Sequence, residues 1–212
     1  MDNCSDNLRD YVNWNVVTII DWPYQYDNIG QWNQIQCAAY MHATTNFLAS
    51  AKWCVFLDTD EFLFNPDGHD LKVVIKDYEQ YSGICVNWVC YGTSHVEETD
   101  CILCDLVMRA KLDFSGNRHI KTICQPSKVS SCINPHFFFY KTGYAVNENK
   151  IQNDGPFCDF SANKLRINHY TVRDEKFLRE VKMPRYKRWG GGISNEILEA
   201  LNEEFDDCIN RH

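Results

Sequence analysis

The chain has no apolar run approaching the roughly 20 residues a membrane-spanning helix requires. Its amino terminus, MDNCSDNLRD, is polar where an export signal would be basic and then apolar. These absences exclude a transmembrane segment in the sequence given and lead to the expectation of a soluble, cytoplasmic protein not secreted on its own. An excess of positive charge is also missing: 29 Asp and Glu outnumber 21 Lys and Arg. That excludes broad, sequence-independent binding to nucleic acid, although a local basic patch can still meet a phosphate. Eleven cysteines occur with no repeated spacing, and an odd number cannot all pair, so reduced thiols are expected. Internal repeats and low-complexity segments are absent as well.

What remains is 212 residues, 44% hydrophobic and 14% aromatic, enough for one sizeable core and too little for two large domains. A single domain over residues 1–212 is expected. Residues 15–20 (NVVTII) and 54–57 (CVFL) are short β-branched or aromatic runs ending in acidic residues, which predicts buried parallel strands. Between them, residues 31–51 carry Ile35, Ala38, Ala39, Met41 and Phe47 near helical spacing, which predicts a strand, helix, strand crossover. After the turn signal Asn65-Pro66-Asp67-Gly68, Leu71, Val74, Ile75 and Tyr78 repeat as on a helix. Strands are predicted at 83–91, 118–125, 137–140 and 164–169, and helices at 174–181 and 194–208, the second capped by Ser194. Residues 182–192, KMPRYKRWGGG, are predicted to be a basic loop. The class that follows is α/β, with a mixed, mostly parallel central sheet flanked by helices.

The run WCVFLDTDEFLF at 53–64 concentrates negative charge at the end of an apolar stretch. In an open α/β sheet, ligands bind outside the carboxyl ends of the strands, and Asp58-Thr59-Asp60 lies there relative to CVFL. If the chain stays extended, Asp58 and Asp60 point to the same side. Hard oxygen ligands of this kind suit Mg²⁺ or Mn²⁺, ions that bind substrate phosphates through one or two carboxylates. The plainer alternative makes Asp58 a strand-end cap and Glu61 a solvated side chain. An EF-hand loop is excluded because Phe62 and Leu63 occupy its fifth and sixth positions. An aspartyl-phosphate phosphohydrolase fits less well, because Phe62 stands where that chemistry's strand usually carries Thr or Val.

Over nearly its whole length the sequence resembles metal-dependent nucleotide-sugar glycosyltransferases of the GT-A fold, specifically family 92 and related family 2-like proteins, some of them encoded by large viruses. The ordered matches are 2–7 (DNCSDN), Trp32, Gln34 and Ala38, the acidic signature at 53–63, Asn87-Trp88, 91–95 (YGTSH), 119–126 (HIKTICQP), Pro135-His136, 167–170 (INHY) and Phe177. The resemblance implies a GT-A-like domain and transfer of a hexose from a UDP-sugar to a glycan or glycoprotein hydroxyl, with inversion. It assigns the metal, Mn²⁺ or Mg²⁺, to Asp58, Asp60 and His169, and the donor to Asp2, Asn3, Asp58 and Lys121. The acceptor falls to Trp88 and His95, and the catalytic base to Glu97 out of the group Glu97, Glu98 and Asp100. Taken alone, a lone His such as His169 is more often structural than a ligand, and Lys121 is as readily an exposed strand lysine. Trp22 or Tyr24 could stack on the nucleoside, and the basic segment 182–192 could close over the diphosphate. The family's first strand and helix would lie upstream of Met1, so either a reduced nucleotide pocket or a longer parent chain is expected. For a viral chain the compartment would be the host cytoplasm. Cys101 and Cys104 read as small buried hydrophobes more readily than as half of a zinc site. A non-catalytic carbohydrate-binding domain of the same fold is the rival reading.

Overall fold

The computed structural model describes residues 7–206. The long helix α1 (Ile29–Asn46) starts where the Asn28 side chain accepts from the Gln31 N–H at 3.0 Å, satisfying one of the orphan amides of the first turn. After it come the strands β1 (Cys54–Val55) and β2 (Glu61–Phe64), and then the helix α2 (Leu71–Val74), which continues as a 3₁₀ turn through Tyr78. β3 (Gly83–Cys90) is the centre of the sheet. Beyond it lie α3 (Ile102–Asp105), β4 (Met108–Arg109), β5 (Ile120–Cys124), β6 (Val129–Asn134), β7 (Phe137–Tyr140), β8 (Ala145–Asn147), β9 (Gln152–Asn153) and β10 (Arg166–His169). The remaining elements are α4 (Glu175–Phe177), α5 (Met183–Arg188), α6 (Asn195–Leu201) and β11 (Glu204–Phe205).

The main sheet runs β1-β5-β3-β10-β2, with β8 also pairing β3 and β9 pairing β8. Seven of the eight residues of β3 are buried, as its near-continuous apolar sequence requires when both faces are covered. One edge of β3 takes β5, and the other takes β8 along its first half and β10 along its second. Ile84, Val86, Ile123, Val146, Leu165, Ile167 and Tyr78 form the largest buried cluster over these strands. A second cluster joins Cys37 and Tyr40 of α1 to Cys124, Val129, Cys132 and Phe138. The short pairs β6 with β7 and β4 with β11 stand outside the main sheet. Buried Arg166 ties the sheet to the end of the described chain: its guanidinium donates to the Tyr91 hydroxyl at 2.6 Å and to Asp206.

Four expectations need correction, one of them the helix predicted at 194–208, which ends at Leu201 and gives way to β11. The sheet is mixed, but the ladders β1–β5, β3–β5, β2–β10 and β8–β9 are antiparallel, and only β3–β10 and β3–β8 are parallel. Parallel dominance is therefore not observed. Residues 15–20 form turns and irregular backbone with Val16 and Val17 exposed, so the predicted crossover lacks its first strand. β-Branched side chains favour a pleated, half-buried surface, and here no sheet face is offered to them. The basic segment from 182 is helical up to Arg188 instead of a loop. Pro184 lacks an N–H and its ring crowds the Glu180 carbonyl, and the helix absorbs this as a π turn over Leu178–Lys182. Only then do the glycines end it, with Gly190 at φ 79° and the Gly191 N–H returning to the Tyr186 carbonyl at 2.9 Å.

Because Ile167 is fully buried between β3 and β2, Ile167→Ala should lower unfolding free energy by about 2–5 kcal/mol in urea titration. A loss under about 1 kcal/mol would contradict the central place given to β10.

Candidate active site

The acidic motif is a closed turn, not an extended strand. The Glu61 N–H donates to the Asp58 carbonyl at 3.1 Å, and the Asp58 N–H donates back to Glu61 Oε2 at 2.9 Å. β1 and β2, the two ends of the sheet order, are joined only through residues 56–60, so the sheet curls to bring them together. The turn thereby lies at the carboxyl end of β10, where Glu61 is in register with His169 and the Tyr170 N–H donates to the Asp60 carbonyl at 2.9 Å. That is the end of the parallel pair β3–β10 at which α/β sheets bind ligands.

Lys121, on β5, is 1% exposed and is the positive centre of the turn. Its Nζ lies 3.1 Å from Asp58 Oδ2 and 3.5 Å from Glu61 Oε2. From α1, Gln36 Nε2 donates to Asp58 Oδ1 at 2.7 Å. Both oxygens of Asp58 are thus engaged by the protein, and Lys121 is no exposed strand lysine. Glu61, expected in solvent, is 4% exposed; burial pushes its carboxyl up to about 7 against the pull of Lys121. Burial also raises Asp60, against the opposing influence of Lys182 in the π turn. The basic segment therefore does approach the acidic turn, although as helix.

His169 Nε2 faces Asp60 Oδ1 at 3.8 Å. Burial holds its imidazole well below the ordinary histidine range, so near neutral pH this is a neutral nitrogen donor beside a carboxylate, not an ion pair. Trp88 packs on His169 with ring centroids 4.0 Å apart, stacks on His119 at 4.8 Å and meets His136 edge-on at 5.1 Å. The Nδ1 of His136 is 2.8 Å from the Ile120 carbonyl, and that of His119 is 3.1 Å from the Gly116 carbonyl. Burial lowers both imidazoles, His136 to about 4. Trp88 Nε1 and His169 Nδ1 are buried without a hydrogen-bond partner.

The structure thus brings Asp58, Asp60, Lys121, His169 and Trp88 together. It places His95 and Glu97 on an exposed loop, entered through Ser94 and His95 at positive φ of 53° and 58°. Glu97 accepts from Arg179 at 2.7 Å, and Arg179 holds its carboxyl below the usual glutamate range. Its other contact is the Lys176 N–H, which donates to its carbonyl at 2.9 Å. Asp2 and Asn3 lie outside the described residues. Trp22 packs against Tyr24 and His42, at 4.9 and 5.3 Å. Cys101 and Cys104 form an exposed disulfide, which corrects the buried-hydrophobe reading and, for this pair alone, the expectation of reduced thiols; the seven other described cysteines are free. Gln36 and the burial of Glu61 were missed by sequence reasoning; His119 and His136 were seen only as parts of a resemblance. A signal for one of them existed: His119 and Lys121 are two apart at the start of a strand and therefore share a face.

Comparison with family models matches residues 1–205 to glycosyltransferase family 92. The chain belongs to glycosyltransferase family 92. A comparison with curated proteins gave no match. This family 92 chain has, among the described residues, no helix long and apolar enough to cross a membrane.

The folded protein resists protonating His136, whereas the unfolded chain takes the proton at an ordinary histidine pKa near 6.5. Its contribution to stability is therefore present above about pH 6.5 and lost as pH falls toward about 4. An NMR titration should show the His136 ring neutral down to about pH 4, and a midpoint near 6.5 would contradict this burial.

Proposed function

We propose that this family 92 protein transfers a hexose from a UDP-sugar to a hydroxyl of a glycan or glycoprotein, with a divalent ion, Mn²⁺ or Mg²⁺, shared between the protein and the donor diphosphate. The observation that carries the reading is neutral His169 facing the Asp60 carboxylate at 3.8 Å, beside an Asp58 held by Lys121. No group of three or more His, Cys, Asp or Glu among the described residues could hold a metal by itself. One carboxylate oxygen and one imidazole nitrogen do suit an ion that takes its other ligands from diphosphate and water, and the nitrogen tilts the choice toward Mn²⁺. Such an ion would offset the charge that develops on the departing nucleoside diphosphate.

The chain's own residues divide the remaining work. Lys121 and Gln36 fix the Asp58 carboxylate, whose second lone pairs stay available to a metal-bound water or the donor ribose. Lys182, close enough to influence both Asp60 and His169, supplies a cation to the phosphates. Trp88 gives the acceptor an apolar ring surface against His169. Inversion needs a carboxylate to take the acceptor proton. Glu97 would serve only after leaving Arg179 and moving inward, and that pairing is the specific observation favouring the rival reading, a carbohydrate-binding domain without turnover.

Asp60→Ala should abolish Mn²⁺-dependent binding of UDP in calorimetric titration while leaving the melting temperature within a few degrees, because a carboxyl penalised by burial is being removed. Equal binding by the variant, or wild-type binding unchanged by EDTA, would overturn the metal assignment. Bound UDP together with no transfer to any hydroxyl acceptor would favour the rival.

A further inference from the structure

β1 leads into the acidic turn, yet it is an edge strand of two residues held to β5 by two register pairs, Cys54 opposite Cys124 and Val55 opposite Ile123. The thiols of the first pair are already in contact, with Cys54 Sγ 3.4 Å from Cys124 Sγ. Residues directly opposite in an antiparallel ladder have Cα atoms about 4.5–5.5 Å apart, inside the span of roughly 4.4–6.8 Å that a disulfide bridges. Rotation of the two side chains is enough to join the sulfurs. We propose that Cys54 and Cys124 form a cross-strand disulfide when the protein meets a small-molecule disulfide such as oxidised glutathione, stapling the strand that leads to Asp58 to the strand that bears Lys121.

The two thiols differ in access as a stepwise exchange requires. Cys54 is half-buried and Cys124 fully buried, so Cys54 reacts first. Its thiolate, having lost its proton to water, attacks one sulfur of glutathione disulfide and releases one glutathione thiolate. Cys124 then attacks the Cys54 sulfur of the mixed disulfide, and the second glutathione departs with the Cys124 proton. One S–S bond forms in the protein, one breaks in glutathione, and two electrons pass to the two glutathione thiols.

What the bond would hold is the ion pair itself. Only a short length of chain separates Cys54 from Asp58 and Lys121 from Cys124, so the link closes a small frame around the 3.1 Å contact. Cys37, beside Gln36 on α1, and Cys132 of β6 lie in the same cluster, so the pairing has to be read by peptide and not by thiol count. The proposal is independent of sugar transfer.

The test uses the full chain, reduced and then incubated with oxidised glutathione. Remaining thiols are capped with N-ethylmaleimide in denaturant, the unreduced digest is read by mass spectrometry, and melting is followed by calorimetry. The expected result is a peptide joining Cys54 to Cys124 and a melting temperature raised by about 5–10 °C, in the wild type and in Cys37→Ser. Cys54→Ser and Cys124→Ala, the second keeping the buried site apolar, should show no rise. Capped Cys54 and Cys124 after oxidation, Cys54 joined to another cysteine, or an equal rise in Cys54→Ser would each overturn the proposal.

Discussion

A buried ammonium between two carboxylates is the constraint on which the rest of this site depends. Lys121 reaches Asp58, in the turn after β1, and Glu61, the first residue of β2; β1 and β2 stand at opposite ends of the sheet order, and the curl of the sheet brings both carboxylates to one ammonium. Removing a lysine from water costs several kcal/mol unless opposite charge and hydrogen bonds offset it. The turn supplies both, and α1 adds Gln36 to the free oxygen of Asp58. One electrostatic requirement therefore couples a helix, a turn, an edge strand and an inner strand into a single arrangement.

The same burial sets the chemistry around it. Three imidazoles packed on Trp88 are held neutral, so they bring nitrogen lone pairs and ring surface to the site without adding positive charge. Positive charge arrives instead from Lys121 beneath the turn and Lys182 beside it. A neutral donor next to a carboxylate is a different instrument from a salt bridge: it suits a shared cation, whereas a protonated His169 would exclude one.

Much of this was legible in the sequence, and what was not has identifiable causes. The helix at 31–51 and the strands at 83–91, 118–125, 137–140 and 164–169 follow from periodicity and apolar runs, and each appears within a few residues of its predicted bounds. The membership in family 92 was legible from the order of motifs. Strand direction was not, because an apolar run carries no information about which neighbour it pairs with; CVFL reads the same whether β5 runs with it or against it. NVVTII misled because propensity does not supply a partner strand. Glu61 looked solvated because acidic residues are rarely fully buried, and only the three-dimensional approach of Lys121 reverses that prior. The three glycines made the basic segment look like a loop throughout, when it is helical up to Arg188 and a π turn absorbs the cost of Pro184.

The central claim is that Lys121 organises the acidic turn for the donor diphosphate. Lys121→Met keeps the stem's volume and removes the charge. Denaturant unfolding of this variant at pH 8, followed by titration with UDP and Mn²⁺, tests that claim most directly. The account predicts a stability loss on the order of 3 kcal/mol and loss of UDP binding, because two carboxylates are left facing each other without their cation. Wild-type stability together with wild-type UDP affinity would contradict it.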